Sequence, residues 1–524
     1  METFEWIIIL LLGAALLTAL ARRVGAPYPT FLAIGGVLIA FVPHAPQWQL
    51  DPHLALTLFV APILVDAAYD TSLRDLRDNW VPVTGLVIAA VGTTTVAVAL
   101  TARFLVPDMS WPVAIALGAI VAPPDAAAAT AVTRQVKLPH RLLKILEGES
   151  LLNDASALLV YRLAIMAAVA GNLSFESFAP VFVLTVFGSI AAGAVCALML
   201  PVLTRDISHV PTALITQFAM TFGIWIAAEA IGLSGILTIV VYAMTVARRG
   251  GVRMPARMRV PAFAVWESAV FILNAFAFVL IGMQLRPIWE RLGTGNLRFE
   301  YTATAIAVLV VTIVARFAWV MSYNKLMRIH IERNGFKPPR KMSKPTFGSG
   351  IVVSWAGMRG IVTLAAAFAI PETLPGGQPF PYRDLILLTA FAVVFGTLVL
   401  QGLTLKPLIR WIGLSDDDPV GREVRTARTH AYRAALGAIE DDDTLQGKLL
   451  RKEYSTAIEM CEGAGEDPSN VEPLAGPLRR RAIVAARERT IELRRTYLIG
   501  DDAFHIIEEE LDWAELSAGS SREG

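Results

Sequence analysis

Apolar runs long enough to cross a bilayer follow one another from residue 4 to residue 410, and they leave this chain few folds to choose from. A spanning helix needs about 20 mostly apolar residues, and about 13 such runs can be drawn. They centre on residues 4–21, 29–42, 53–70, 80–105, 112–133, 144–169, 177–204, 211–230, 232–247, 262–289, 300–328, 349–371 and 384–410. In lipid, every backbone N–H and C=O must be satisfied within the spanning structure, which restricts it to helices or a closed barrel. Runs of this length are helical, so the expected fold class is an all-α polytopic membrane protein. Of 524 residues, 17% are charged, below the roughly 25% of a soluble domain.

Loop charge orders the spans. Alternate loops hold Arg22 and Arg23; Arg74 and Arg77; Arg134, Lys137, Arg141 and Lys144; Arg205; the run Arg248 to Arg259; and the run Lys325 to Lys344. The other set holds only Arg286, Arg291, Arg298 and Arg383. About 21 basic residues against about 4 places the first set in the cytoplasm. The N-terminus is then outside and the C-terminus inside. A domain boundary is expected near 414/415, because residues 415–524 open with Asp416-Asp417-Asp418-Pro419 and are rich in Arg, Glu and Ala. Ile483, Leu493, Leu498, Ile506 and Leu511 are spaced as amphipathic helices allow. This segment reads as a cytoplasmic helical tail, either a solvated aid to assembly or a sensor of pH or nucleotide. No basic-aromatic pattern suggests a nucleic-acid partner, and no cofactor motif is present.

Polar groups inside the spans are few. Glu149, Ser150, Asn153 and Asp154 lie in one helical run, Lys144 to Ala170, spaced so that they share about one face. A charge at membrane depth costs roughly 3 kcal/mol or more, so it needs a partner or a task. Asp154 is central in its span and adjacent to an amide, which points to a task. Asp66 lies near a span end, where a carboxylate can also snorkel; the residues alone leave both roles open. Glu149 and Arg316 can hold helices together as a pair. Pro123-Pro124 beside Asp125 should break the fifth span, since proline removes a donor and clashes with the preceding turn. Gly357 and Gly360 around Arg359 mark the same interruption in the twelfth. Two interrupted helices seven spans apart suggest two inverted repeats, about 1–170 and 211–410, with a midplane binding site between them. Asp125 can then offset exposed helix N-termini there and Arg359 the C-termini.

The oxygens of Asp154, Asn153 and Ser150, with the carbonyl near Pro124, form an all-oxygen set. Hard cations prefer oxygen, and no His or Cys neighbour points to a transition metal. A carboxylate out of water is harder to ionise, so it holds a proton or a cation but not both. That competition couples opposite fluxes when access alternates. One carboxylate beside a neutral Asn suggests one proton per cation.

These residues carry a resemblance. GESLLNDASALLVY, APPDAAA, PILVDAAY, IGMQL, the VAR of the eleventh span and WAGMRGIVTLAAAFAIP resemble the monovalent cation:proton antiporter family of the sodium/proton exchanger type, over residues 5–410. The resemblance implies 13 spans in inverted repeats, a homodimer in the plasma membrane, an elevator-like movement of a core against a dimerisation domain, and Na+/H+ exchange. It implies that Asp154 binds the ion with Asn153 beside it and Ser150 as a helper hydroxyl. It makes Glu149 and Arg316 a core ion pair, places Asp125 and Arg359 at the unwound crossing, and puts Asp66 on the cytoplasmic approach. Many members carry Thr-Asp-Pro at the crossing; here Pro124-Asp125-Ala126 offers only a carbonyl at the first position.

Two rival readings remain at this level. A K+/H+ exchanger has the same fold. An intramembrane enzyme needs a paired catalytic set, and Asp125 with Asp154 could supply two aspartates, but His44, His53, His140, His209 and His330 all fall in or beside loops.

Overall fold

The structure, a computed structural model, describes residues 2–43, 45, 51–133, 138–170, 175–204, 207, 209–250, 256–293, 295–335, 344–374, 377–414, 419–463, 483–489, 491–492, 507 and 510–514. Among them there is no sheet, only an isolated bridge between Thr373 and Pro379. The chain divides into two units, Met1–Asp417 and Asp418–Gly524.

The first unit runs α1 (Glu2–Val24), α2 (Tyr28–Ala40), α3 (Pro52–Tyr69), α4 (Leu73–Asp78), α5 (Trp80–Leu105), α6 (Trp111–Val121), α7 (Ala126–Thr133), α8 (His140–Ala170), α9 (Phe175–Leu203), α10 (Val210–Ala230), α11 (Gly235–Gly250), α12 (Ala256–Met283), α13 (Asn296–Asn334), α14 (Phe347–Trp355), α15 (Ile361–Phe368) and α16 (Arg383–Ile412). Among the described residues, nine helices are long and apolar enough to cross a membrane and three apolar ones are shorter. The runs drawn at 112–133 and 349–371 are each two helices. Pro123 and Pro124 cannot extend the hydrogen-bond ladder of α6, which stops at Val121, and α14 stops before the glycines of Ala356–Gly360.

Packing sorts these helices into two groups. One, the scaffold, gathers α1, α2, α3, α9, α10, α11 and α12. The other, the core, gathers α5 to α8 and α13 to α16. The two broken helices and α8 are all in the core. Scaffold helices approach closely where side chains vanish. A Cβ on Gly36 would lie 2.1 Å from the Val279 carbonyl oxygen, and one on Gly282 would lie 2.2 Å from that of Ala33. Such small-residue contacts let backbones meet in lipid, where no hydrophobic force drives helices together. Two helices widen locally into π-type turns, Leu56–Val60 in α3 and Gly85–Ala90 in α5. Turns of this kind leave carbonyls available to partners and are frequent at functional sites.

In the second unit, α17 (Pro419–Ala438) and α18 (Leu445–Gly463) pack on each other, with the Tyr432 and Tyr454 rings 5.8 Å apart. Ile483 is buried against Leu511 and Ala514, and Arg487 pairs with Asp512 at 2.7 Å. Leu493, Leu498 and Ile506 lie outside the described residues.

Candidate functional site

The site assembles where α8 passes the two breaks. α8 is continuous from His140 to Ala170, so Glu149, Ser150, Asn153 and Asp154 occupy successive turns of one rod. All four are buried, Asn153 completely and Asp154 to 7% exposure.

The breaks are tied to each other by one side chain. Arg359, fully buried, donates from Nε to the Val121 carbonyl (3.0 Å), from Nη2 to that of Ala122 (3.2 Å) and from Nη1 to that of Gly357. Those carbonyls lost their helical partners when α6 and α14 ended, and a cation there also meets the negative end of each helix dipole. The Asp125 N–H donates to the Met358 carbonyl at 2.6 Å. Asp125 also lies against Gly360: a Cβ there would fall 1.3 Å from Asp125 Oδ2, so any larger residue would displace the carboxylate. On α16, the Thr397 hydroxyl accepts from the Arg359 N–H (3.0 Å) while donating to the Val393 carbonyl (2.7 Å). Thr397→Val therefore leaves a buried N–H unsatisfied, at a cost of about 1–3 kcal/mol. The expected result is a lower melting temperature in detergent with the oligomeric state unchanged; an unshifted melt would remove Thr397 from the support of the break.

Glu149 and Arg316 form a buried two-pronged pair, Nη1 to Oε1 at 2.5 Å and Nη2 to Oε2 at 2.8 Å. Arg316 Nη2 also donates to the Val353 carbonyl at 3.1 Å. The pair joins α8, α13 and α14. Gly357 makes room for it, since a Cβ there would lie 2.4 Å from Arg316 Nε.

One turn beyond Glu149 the character changes. The Pro124 carbonyl accepts from Asn153 Nδ2 at 3.0 Å and from the Ser150 hydroxyl at 3.4 Å. That fixes the amide so that Asn153 Oδ1, also buried, has no hydrogen-bond donor among the described residues. None of them donates to the Asp154 carboxylate either. A hydroxyl that gives up its proton still offers lone pairs. Asp154, Asn153 and Ser150 thus present oxygens, with Pro124 holding the last two in place and Asp125 acting electrostatically on Asp154. A buried acceptor without a donor is costly, and a hard cation or a proton relieves that cost.

Asp66 stands apart from this cluster. It is half-buried on α3, towards the end that leads into α4. α4 in turn is fastened to the first turn of α8, with Arg141 Nε donating to Asn79 Oδ1 at 3.1 Å and His140 3.5 Å from Asp75. Asp66 and the start of α8 therefore share one side of the unit.

Three contacts escape a reading of the chain alone. Thr397 is one. Ser156 is the second, donating to the Val87 carbonyl in the widened turn of α5 at 2.9 Å. The third is an ion pair of Arg162 with Glu229; both residues break the apolar rule as plainly as Arg316 does, and that was the available signal.

Two discontinuous helices meeting beside a buried carboxylate, within an all-helical membrane unit, define a secondary ion transporter. The chain belongs to the sodium/hydrogen exchanger family, whose transmembrane region matches residues 7–411. It is therefore a multi-pass cation/proton antiporter and not an enzyme. It is 31% identical to an uncharacterized Na+/H+ exchanger of Mycobacterium bovis (strain ATCC BAA-935 / AF2122/97), over 98% of this chain and 96% of that one. It is 30% identical to the sodium, potassium, lithium and rubidium/H+ antiporter of Bacillus pumilus (strain SAFR-032), over 90% of this chain and 68% of that one. The fold matches the sodium proton antiporter of Methanocaldococcus jannaschii at pH 8, with TM-score 0.58 and 16% identity, over 79% of this chain and all of that one.

Proposed function

We propose that this antiporter exchanges Na+ or Li+ for H+ electroneutrally, with Asp154 carrying the proton and the cation in turn. The observation behind this reading is the buried Asn153 Oδ1, which has no donor among the described residues, on the residue next to Asp154. One carboxylate with a neutral amide neighbour exchanges one charge for one charge. The core group, clamped by Arg316–Glu149 and Arg359, moves against the scaffold to expose Asp154 to one side at a time. Asp66 lines the cytoplasmic approach. The protein works as a homodimer in a bacterial-type plasma membrane, N-terminus outside and tail in the cytoplasm, exporting cations or adjusting internal pH.

A K+/H+ exchange is the second reading. It is favoured by the naming of the Bacillus relative for potassium and rubidium as well as sodium and lithium and by the missing threonine hydroxyl at Pro124. Proteoliposomes with an imposed pH gradient and an internal pH dye decide between them. Na+ and Li+ should dequench the dye, with no change when a K+/valinomycin clamp sets the voltage. A response to K+ alone selects the second reading, and a voltage-dependent response rules out one-for-one exchange.

A further inference from the structure

The Arg162–Glu229 pair joins the two helix groups. Arg162 Nη2 lies 2.8 Å from Glu229 Oε1 and 2.6 Å from Oε2. Arg162 is on core helix α8, about 12 Å along the axis from Asp154, beyond the site as seen from the start of α8. It is therefore on the side of the unit away from Asp66. Glu229 is in the last turn of scaffold helix α10. A carboxylate there faces the negative end of its own helix dipole, so α10 gains nothing from it. It is held instead from outside: the Gly235 N–H at the start of α11 donates to Oε1 at 2.9 Å. The glutamate is thus fixed to the scaffold and offered to α8.

We propose that Arg162 and Glu229 are the gate that closes the ion site on the side opposite Asp66. This rests on the alternating-access reading above. While Asp154 faces the Asp66 side, the pair holds α8 against α10. To open the other side, α8 must part from α10, and the pair breaks. Its exposure suits a contact that is made and broken. The side chains of Arg162 and Glu229 are 42% and 26% exposed, whereas those of Arg316 and Glu149 are 3% and 1% exposed. A half-exposed pair contributes little and opens readily; a buried one is strongly destabilised when either partner is lost. The first is built as a latch and the second as a clamp. Because a latch favours one of two states, losing it shifts their populations without touching the ligands.

The test uses the full chain with Cys196→Ser and Cys461→Ser, the two native cysteines, and with Leu158→Cys, one turn from both Asp154 and Arg162. A membrane-impermeant maleimide is applied from each side of oriented vesicles. With Glu229→Gln or Arg162→Gln added, labelling from the Arg162 side should rise about fivefold, the factor that corresponds to roughly 1 kcal/mol for such a pair. The apparent KM for Na+ should fall on that side and rise on the other. The swapped double variant Arg162→Glu with Glu229→Arg should return labelling to the parent rate. Single variants that exchange ions but label like the parent would overturn the gate. So would a swapped variant that folds but keeps the raised labelling, which also decides the matter where the singles do not fold. Failure of the proposed exchange at Asp154 shows separately, as exchange that persists in Asp154→Asn.

Discussion

Asp154→Asn is expected to abolish cation/proton exchange and to leave the protein folded. The amide has nearly the shape of the carboxylate, so packing around α8 is retained. No described residue donates a hydrogen bond to Asp154, so no native contact is lost either. What disappears is the carboxylate proposed to hold a proton and a cation by turns. The neutral oxygens of Asn153 and Ser150 remain, but binding a cation there no longer requires releasing a proton, and the two fluxes uncouple. In proteoliposomes the dye response to Na+, Li+ and K+ should fall to that of empty vesicles. The melting temperature should stay within a few degrees of the parent. Exchange at a normal rate in this variant would remove Asp154 from the mechanism.

Glu149→Gln acts little more than one turn earlier on the same helix and is expected to do the opposite: to spare the exchange chemistry and weaken the fold. Arg316 would keep its bond to the Val353 carbonyl and one acceptor, the new amide oxygen, but lose the other, leaving a buried guanidinium without a counter-charge. Breaking one partner of a buried pair costs about 3–5 kcal/mol, much of it from the charge left behind. A large drop in melting temperature is expected, measured by size-exclusion after heating. The double variant Glu149→Gln with Arg316→Met removes the stranded charge as well and should recover part of the loss. A single variant as stable as the parent would mean that lipid or water reaches Arg316 and that the pair is no clamp.

The membrane fold was legible from the chain because lipid leaves so few solutions. The breaks were legible too: paired prolines, and glycines around an arginine, say where a helix cannot continue whatever surrounds it. Glu149, Arg316 and Arg359 announced themselves as charges in apolar runs that must find partners. Which partners they find is a different kind of fact. That Arg359 would take three carbonyls from two breaks follows from how α6 and α14 meet, and nothing local encodes it. Thr397 and Ser156 were invisible for the same reason: a hydroxyl in a membrane helix usually bonds back to its own turn, and only tertiary approach shows which ones reach out. The widened turns of α3 and α5 carry no residue that demands them. Nor does Asn153 declare in sequence which of its amide atoms faces the Pro124 carbonyl, yet that orientation decides whether a donor or an acceptor faces the site.

The order in which the chain visits the two helix groups has a mechanical consequence. It lays down α1 to α3 in the scaffold, α5 to α8 in the core, α9 to α12 in the scaffold and α13 to α16 in the core. Among the described residues, the crossings between the groups fall around residues 70–79 and 284–293, the second of which contains the short helix Leu285–Arg291. The first is shortened, because α4 and the residue after it are fastened to the start of α8. Any displacement of one group against the other would have to be absorbed at such crossings. In the alternating-access reading, the length of these crossings, more than the strength of any contact across the groups, would bound how far the carrier can travel.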